Sequence, residues 1–264
     1  MPYIDLHTHI LPGLDDGPAT MSESLALARA LVEEGFATAV ATPHCWEGRP
    51  VATDILKSLK ELQEELKQAH IPLTVLPGAE HAMDPYLVQR LEAGELLTLN
   101  NSRFILLESP VFQPLPHYAG ELIFELRLHG FYPVLAHPER CAAFQNHPDR
   151  LARLVHAGAL TQLTLGSLTG SMGPLPARAA ASFFRCGLAH ILATDAHGGG
   201  VRMEQTGAAL AQAQKLGGPE ALELLIIKRP AAILRDELPP LPEPEEKVST
   251  VRRGLFRNLY RNRY

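Results

Sequence analysis

The chain opens with Asp5-Leu6-His7-Thr8-His9, two histidines separated by one residue. On an extended strand, side chains two apart leave the same face, so both imidazoles can address one point. Asp15 and Asp16 follow in the next turn, close enough to fold back over that pair. Related residues recur downstream, each just past a short apolar run. They are His44 in Ala41-Thr42-Pro43-His44, Glu80 in Pro77-Gly78-Ala79-Glu80, Glu108 in Leu106-Leu107-Glu108, His137 in Leu135-Ala136-His137-Pro138, and Asp195 and His197 in Thr194-Asp195-Ala196-His197. As a bare cluster these groups would be costly, because burial and like charge both penalise ionised side chains. Divalent cations remove that penalty, and mixed imidazole and carboxylate ligands suit zinc, manganese or iron without any sulfur. So many donors exceed one tetrahedral site, and two or three ions are expected, with a carboxylate such as Glu80 bridging. In such a centre one ion turns water into hydroxide near neutral pH, while the others hold phosphate oxygens. Any one of these histidines alone has an ordinary explanation as a strand-end cap. The series on strand after strand does not.

The elements that must position these residues follow one repeating order of short apolar strand, polar turn and helix. Strands are expected at Tyr3–His9, Ala37–Thr42, Thr74–Leu76, Phe104–Leu107, Val134–Ala136, Leu160–Leu165 and Ala189–Ala193. Helices are expected at Ser22–Glu34 (capped by Ser22), Asp54–Gln68, Ala119–Leu128, Asp149–His156, Ala177–Arg185, Gly207–Lys215 and Pro219–Lys228, several with apolar residues three and four apart. About seven strand-then-helix units argue for a parallel α/β barrel rather than a meander. In such a barrel the C-terminal strand ends share one mouth, which is where the donor residues fall.

Composition narrows the rest. The 264 residues are 46% hydrophobic and carry a formal net charge of −5. Residues 251–264 hold five arginines and no acid, leaving 19 basic against 29 acidic groups in the other 250 residues. An acidic body suits cations and disfavours a nucleic-acid groove. Three widely spaced cysteines without a CxxC pair, no basic-then-apolar leader and no long apolar run read as a reduced, cytoplasmic chain. Residues 237–246 are rich in Pro and Glu, as expected of a linker, so the chain is divided into a domain at 1–236, a linker at 237–250 and a basic tail at 251–264. A cysteine-based phosphatase would need Arg six residues after its Cys; the residues there are Val51, His147 and Leu192, which excludes it. No G-x-S-x-G elbow supports a serine nucleophile.

The ordered set of motifs resembles the PHP (polymerase and histidinol phosphatase) superfamily. Within it, Ile4-Asp5-Leu6-His7-Thr8-His9-Ile10-Leu11-Pro12-Gly13-Leu14-Asp15-Asp16-Gly17, with Thr42-Pro43-His44, Gly78-Ala79-Glu80, Leu107-Glu108, His137-Pro138-Glu139-Arg140 and Thr194-Asp195-Ala196-His197, is similar to the metal-dependent tyrosine-protein phosphatases of bacterial capsule and exopolysaccharide operons (CpsB/YwqE type). The resemblance spans residues 3 to about 235. It implies a distorted (β/α)7 barrel of the PHP, TIM-like kind with its metal site at the C-terminal strand ends. It makes His7, His9, Asp16, His44, Glu80, Glu108, His137, Asp195 and His197 the ligands of two or three ions, manganese first, with iron, zinc or magnesium as the other candidates. Asp15 is then a partner of the ligands rather than a ligand. Arg140 and Arg202, with Asp16, fall at the reacting phosphate, although the Gly198-Gly199-Gly200 loop beside Arg202 departs from the usual pattern. The implied reaction is hydrolysis of phosphotyrosine on a protein such as a polysaccharide-biosynthesis tyrosine kinase. A small-molecule phosphatase acting on histidinol phosphate or a sugar phosphate is the alternative, and a non-catalytic PHP scaffold the second alternative. The basic tail is read as a contact for an acidic kinase or an anionic membrane face. The other histidines are read as structural, with His81 able to line the mouth; Trp46, Phe112, His117 and Tyr118 are read as rim residues.

Overall fold

The computed structural model of the protein describes residues 2–46 and 50–239, without the side chains of Val201 and Arg202. Among the described residues are nine strands: β1 (Tyr3–Thr8), β2 (Phe36–Ala41), β3 (His44–Cys45), β4 (Thr74–Pro77), β5 (Glu80–Ala82), β6 (Phe104–Glu108), β7 (Tyr132–Ala136), β8 (Leu160–Thr164) and β9 (Ile191–Ala193). All pairings are parallel, in a three-stranded sheet of order β1-β2-β4 and a six-stranded sheet of order β3-β5-β6-β7-β8-β9. The two meet at their ends. Asp195 N donates to His7 O at 2.9 Å and His9 N to Ala196 O at 2.9 Å, tying the end of β1 to the segment after β9.

The short strands β3 and β5 go beyond the expected ones, each following its predecessor after a two-residue gap. Pairing stops at Ala41 and resumes at His44, and stops at Pro77 and resumes at Glu80. Pro43 has no N–H to give to a ladder. Gly78, at the second break, packs so closely on β2 that a Cβ would stand 2.6 Å from Val40 Cγ1.

The crossovers are helices α1 (Met21–Glu33), α2 (Ala52–Gln68), α3 (Leu87–Glu92), α4 (Ala119–Leu128), α5 (Ala142–Asn146), α6 (Pro148–His156), α7 (Leu165–Thr169), α8 (Pro174–Arg185), α9 (Val201–Glu204), α10 (Thr206–Glu223) and α11 (Arg229–Leu234). The first begins earlier than expected. Thr20, not Ser22, is its cap: Thr20 Oγ1 accepts from Glu23 N at 3.3 Å, and Glu23 Oε2 accepts from Thr20 N at 3.2 Å. Such a capping box satisfies two N–H groups that a helix start leaves open, and a lost cap costs about 1 kcal/mol. The helix expected from Ala177 begins at Pro174, whose fixed φ suits a first helical position. The two helices expected at the end run on as one, kinked at Gly218 (φ 82°) before Pro219 and continued by a π turn at Leu224–Lys228.

Side-chain alternation along the strands explains how the site is presented. On one strand face, Val40, Phe104, Leu106, Val134, Leu160 and Ile191 form an apolar cluster, with Leu76 packed against it. The opposite face, with Ile105, Leu107, Leu135 and Leu163, meets the helices through residues such as Leu27, Leu31, Leu62 and Ile123. Counting on by twos from the first cluster reaches His44, Glu80, Glu108, Gln162 and Asp195. The same strand face thus turns from apolar side chains to imidazole, carboxylate and amide donors at its C-terminal end. β1 departs from strict alternation, since its register with β2 shifts between Asp5 and Thr8. The linker from residue 240 onward and the basic tail lie outside the described residues. No helix among the described residues is long and apolar enough to cross a membrane. All three cysteines are free.

Candidate metal centre

The nine expected ligands converge. Four overlapping groups, His9/Asp16/His44/His197, His7/Glu80/His137, His7/His9/Asp195 and His44/Glu80/Glu108, each bring their donor atoms within 4.8 Å of one another. Glu80 is the hub: Oε2 lies 3.2 Å from His7 Nε2 and 3.0 Å from His44 Nδ1, and Oε1 lies 3.0 Å from His137 Nε2. Glu80 and His7 are fully buried, whereas the Asp16 side chain is 65% exposed. The centre is therefore deep at one end and open at the other.

The outer nitrogens of the paired histidines are already engaged. His7 Nδ1 contacts Gln162 Oε1 at 2.8 Å, and His9 Nδ1 contacts Asp15 Oδ2 at 2.6 Å. Both partners are acceptors, so each Nδ1 carries a proton and each Nε2 is left to a metal or a second proton. Those two Nε2 atoms face each other at 3.1 Å. Two lone pairs aimed at one point repel unless a cation or extra protons sit between them. This is the ligand-and-orienting-partner pattern of metal-bound imidazole.

The electrostatics agree. Burial pulls the His7 imidazole down, but Glu80 and Asp195 outweigh it and push it up to about 9. Burial also opposes protonation of His9, yet its contacts with Asp15 and Glu80 push it up to about 10. Burial would raise Glu80 and Asp195; the surrounding imidazoles hold both below the usual carboxylate range, with Arg140 helping at Asp195. Carboxylates this firmly ionised, with imidazoles crowded against them, fit divalent cations of the hard-to-borderline kind.

Two of the expected ligands sit in left-handed backbone, His137 at φ 32° and Asp195 at φ 52°. Non-glycine residues in that region cost of order 1 kcal/mol each, a strain that collects at functional sites. His137 turns the chain into the short 3-10 segment Pro138–Arg140. That turn brings Arg140 back over the centre, where its Nη1 donates to Asp195 Oδ2 at 2.7 Å. Arg202 lies in α9, and its side chain is outside the described residues.

Other residues separate. His81 faces away from the cluster; its Nε2 lies 2.8 Å from Leu97 O, and it lines a cavity of about 380 Å³ with Cys45 and Arg90 on the reverse side. Alternation from Glu80 accounts for this. Burial pushes the Cys45 thiol up to about 12, so it stays protonated. Tyr118 is a latch, donating to Met83 O at 3.0 Å, while Phe112 is 94% exposed. Sequence inspection missed Gln162. Its signal is a lone amide in the apolar run Leu160-Thr161-Gln162-Leu163, two residues from the strand end.

Residues 3–235 match the family model described as capsular polysaccharide synthesis, CpsB/CapC. The chain belongs to the CpsB/CapC family. It is 36% identical to the tyrosine-protein phosphatase YwqE of Bacillus subtilis over 93% of this chain and 98% of that protein. It is 30% identical to the tyrosine-protein phosphatase CpsB of Streptococcus pneumoniae over 89% of this chain and 99% of that one. A solved structure from work on YwqE and CpsB, described there as metal-dependent tyrosine phosphatases, superposes with a TM-score of 0.88 over 91% of this chain and 98% of its own, at 36% identity. A lactonase from Listeria monocytogenes, at 12% identity, 88% of this chain, 94% of its own and a TM-score of 0.56, shares the fold alone.

Proposed function

We infer that the chain is a metal-dependent phosphatase that hydrolyses phosphotyrosine on a protein. The observation that carries this is the facing pair of His7 and His9 Nε2 atoms, 3.1 Å apart inside a nine-residue donor set, in a chain that is 36% identical to a named tyrosine-protein phosphatase along nearly its whole length. The ligands are His7, His9, Asp16, His44, Glu80, Glu108, His137, Asp195 and His197, holding two or three divalent ions, with manganese the first candidate. When bound, such ions supply Lewis-acid stabilisation of phosphoryl charge and a lowered pKa for attacking water.

The protein's own residues do the rest. Glu80 and Asp195 hold positive charge at the buried end, and Gln162 and Asp15 fix the ring orientation of His7 and His9. Arg140, braced by Asp195, offers its remaining N–H groups to the phosphoryl oxygens, a fork that stabilises charge as the bond breaks. Arg202, in α9, is the second arginine assigned to the phosphoryl group, and Asp16 stands at the reacting end. The oxygen of water bonds to phosphorus as the bond to the tyrosyl oxygen breaks, releasing phosphate and tyrosine without a phosphoenzyme. The exposed side of the centre at Asp16 suits a side chain presented on a protein.

The strand ends support the distorted (β/α)7 barrel. If β2 with β3 and β4 with β5 each count as one strand, seven strands follow in order, joined last to first by the Asp195–His7 and His9–Ala196 hydrogen bonds. Residues 1–236 then form the phosphatase domain, 237–250 a linker and 251–264 a basic tail that contacts a kinase or an anionic surface. The family's place in capsular polysaccharide synthesis makes a cytoplasmic tyrosine kinase of that process the expected substrate. The test is a panel of phosphotyrosine peptide, phosphoserine peptide and histidinol phosphate, each with manganese, zinc, iron or magnesium. Phosphotyrosine is expected to lead; selective turnover of histidinol phosphate would replace this function with the small-molecule one.

A further inference from the structure

The open end of the centre carries an aromatic side chain that the hydrolytic step does not need. Trp46 follows β3 directly and stacks on His44, ring centroids 4.2 Å apart and planes 26° apart. Its Nε1–H donates to Glu108 Oε2 at 3.2 Å. His44 and Glu108 belong to one donor group with Glu80, so the indole is pinned at two points to the edge of a single ion position. Despite that hold, 49% of Trp46 remains exposed, while His44 beneath it is buried.

A side chain fixed by a stack and a hydrogen bond has already given up its rotamer freedom, so covering its open surface costs little further entropy. The ring in phosphotyrosine is joined to phosphorus through one oxygen. When the phosphoryl group reaches the ions, the phenyl ring must therefore lie beside them, at the edge that Trp46 occupies. An alkyl phosphate places no ring there.

We propose that Trp46 is the residue that selects aryl over alkyl phosphates, its exposed indole surface packing against the phenyl ring of the bound substrate. This rests on the phosphatase function inferred above. Offset or edge-to-face aromatic contact is worth a five- to tenfold preference or thereabouts, on the order of the usual aromatic-pair contribution. Phe112 lacks such a hold and is not expected to contribute comparably.

Trp46 is the only tryptophan in the chain, so intrinsic emission reports on it alone. The experiment titrates the zinc-loaded full chain with phenylphosphonate, a non-hydrolysable aryl probe, and with methylphosphonate as its alkyl match. Phenylphosphonate is expected to change the emission saturably at the concentrations that inhibit turnover, and methylphosphonate to leave it nearly unchanged. In Trp46→Ala the ratio of phenylphosphonate to methylphosphonate inhibition constants should rise about tenfold. In Trp46→Phe, which keeps a ring but loses the bond to Glu108, that ratio should stay within about threefold of wild type. An inhibitory phenylphosphonate that leaves the emission unmoved would overturn the proposal. So would equal weakening of both probes in Trp46→Ala, which would leave Trp46 a mere support for His44 and Glu108. If the metal-loaded wild type turns over no aryl phosphate at all, the phosphatase function itself fails and this inference with it.

Discussion

Asp15 holds His9 through one carboxylate oxygen that also holds the next ligand: Oδ2 lies 2.6 Å from His9 Nδ1 and accepts from His44 N at 2.9 Å. A single atom thus joins two strand ends that each supply a proposed metal ligand. The other oxygen, Oδ1, accepts from Gly17 N at 2.9 Å and shapes the loop. Burial would raise the Asp15 carboxyl, but His9 and these N–H groups bring it to about 2, so it is ionised wherever the protein is folded near neutrality. Asp15→Ala is expected to weaken metal affinity by about ten- to a hundredfold, the usual cost of an orienting partner. Competition against a metal-sensitive chelator measures it. Wild-type affinity in the variant would show that His9 needs no orienting.

Gly17 closes the same loop against the His9 backbone. A Cβ there would stand 2.3 Å from His9 O and 3.0 Å from Asp15 Oδ1, neither of which has room to move without disturbing His9. Gly17→Ala should lower both metal content and thermal stability. Gly120→Ala on α4, where a Cβ meets nothing within 4 Å, should be neutral or slightly stabilising, as expected of alanine in a helix. Calorimetry with metal analysis compares the two; matching behaviour would show that the loop tolerates displacement.

Arg140 binds Asp195 and is the arginine proposed for the phosphoryl group. Arg140→Lys keeps a positive charge near Asp195 but loses the planar fork. The expected result is retained metal with kcat/KM lower by about ten- to a hundredfold, in the range of lost transition-state donors. Steady-state kinetics beside metal analysis decides. Unchanged kcat/KM would remove Arg140 from the reaction.

A pH effect arises at a histidine outside the candidate metal centre. His190 is buried, its Nδ1 accepts from Thr161 N at 3.1 Å, and burial followed by the charge of Arg229 holds the imidazole down at about 3. In the unfolded chain the group returns to its ordinary value near 6.5. Between these values the unfolded chain takes up a proton that the native state refuses, so stability falls as pH drops below about 6.5. At pH 5 the loss from this group is about 2 kcal/mol. His190→Asn keeps an acceptor for Thr161 N but cannot titrate. Urea unfolding at pH 7 and pH 5 should show the wild type losing about 2 kcal/mol more than the variant between the two values. Equal losses would mean that His190 is protonated in the folded state.

Much of the site was legible because period-two alternation and strand ends are local properties. His44, Glu80, Glu108 and Asp195 each follow an apolar run at the spacing that aims them with it, and His7 and His9 show as a pair. What stayed hidden depends on contacts distant in sequence. Gln162 matters only because β8 sets it beside His7, 155 residues away in the chain. The short strands β3 and β5 were not legible; the gaps before them hold Pro43 and a Gly78 crowded against Val40, a contact no local pattern records. Thr20 is the cap rather than Ser22 because Glu23, three residues on, closes a capping box with it. Trp46 is legible as a rim residue, but its stack on His44 and bond to Glu108 exist only in three dimensions.

The central claim is that the converging histidines and carboxylates hold ions that phosphotyrosine hydrolysis requires. Its most direct test is turnover of a phosphotyrosine peptide by chelator-stripped full-chain protein as manganese is titrated back, with bound metal measured at each step. The expected result is no turnover at the start, and recovery as two or three ions bind per chain. His7→Ala should neither hold the full complement nor recover. Turnover by the stripped protein, or full metal occupancy without phosphotyrosine hydrolysis, would contradict it.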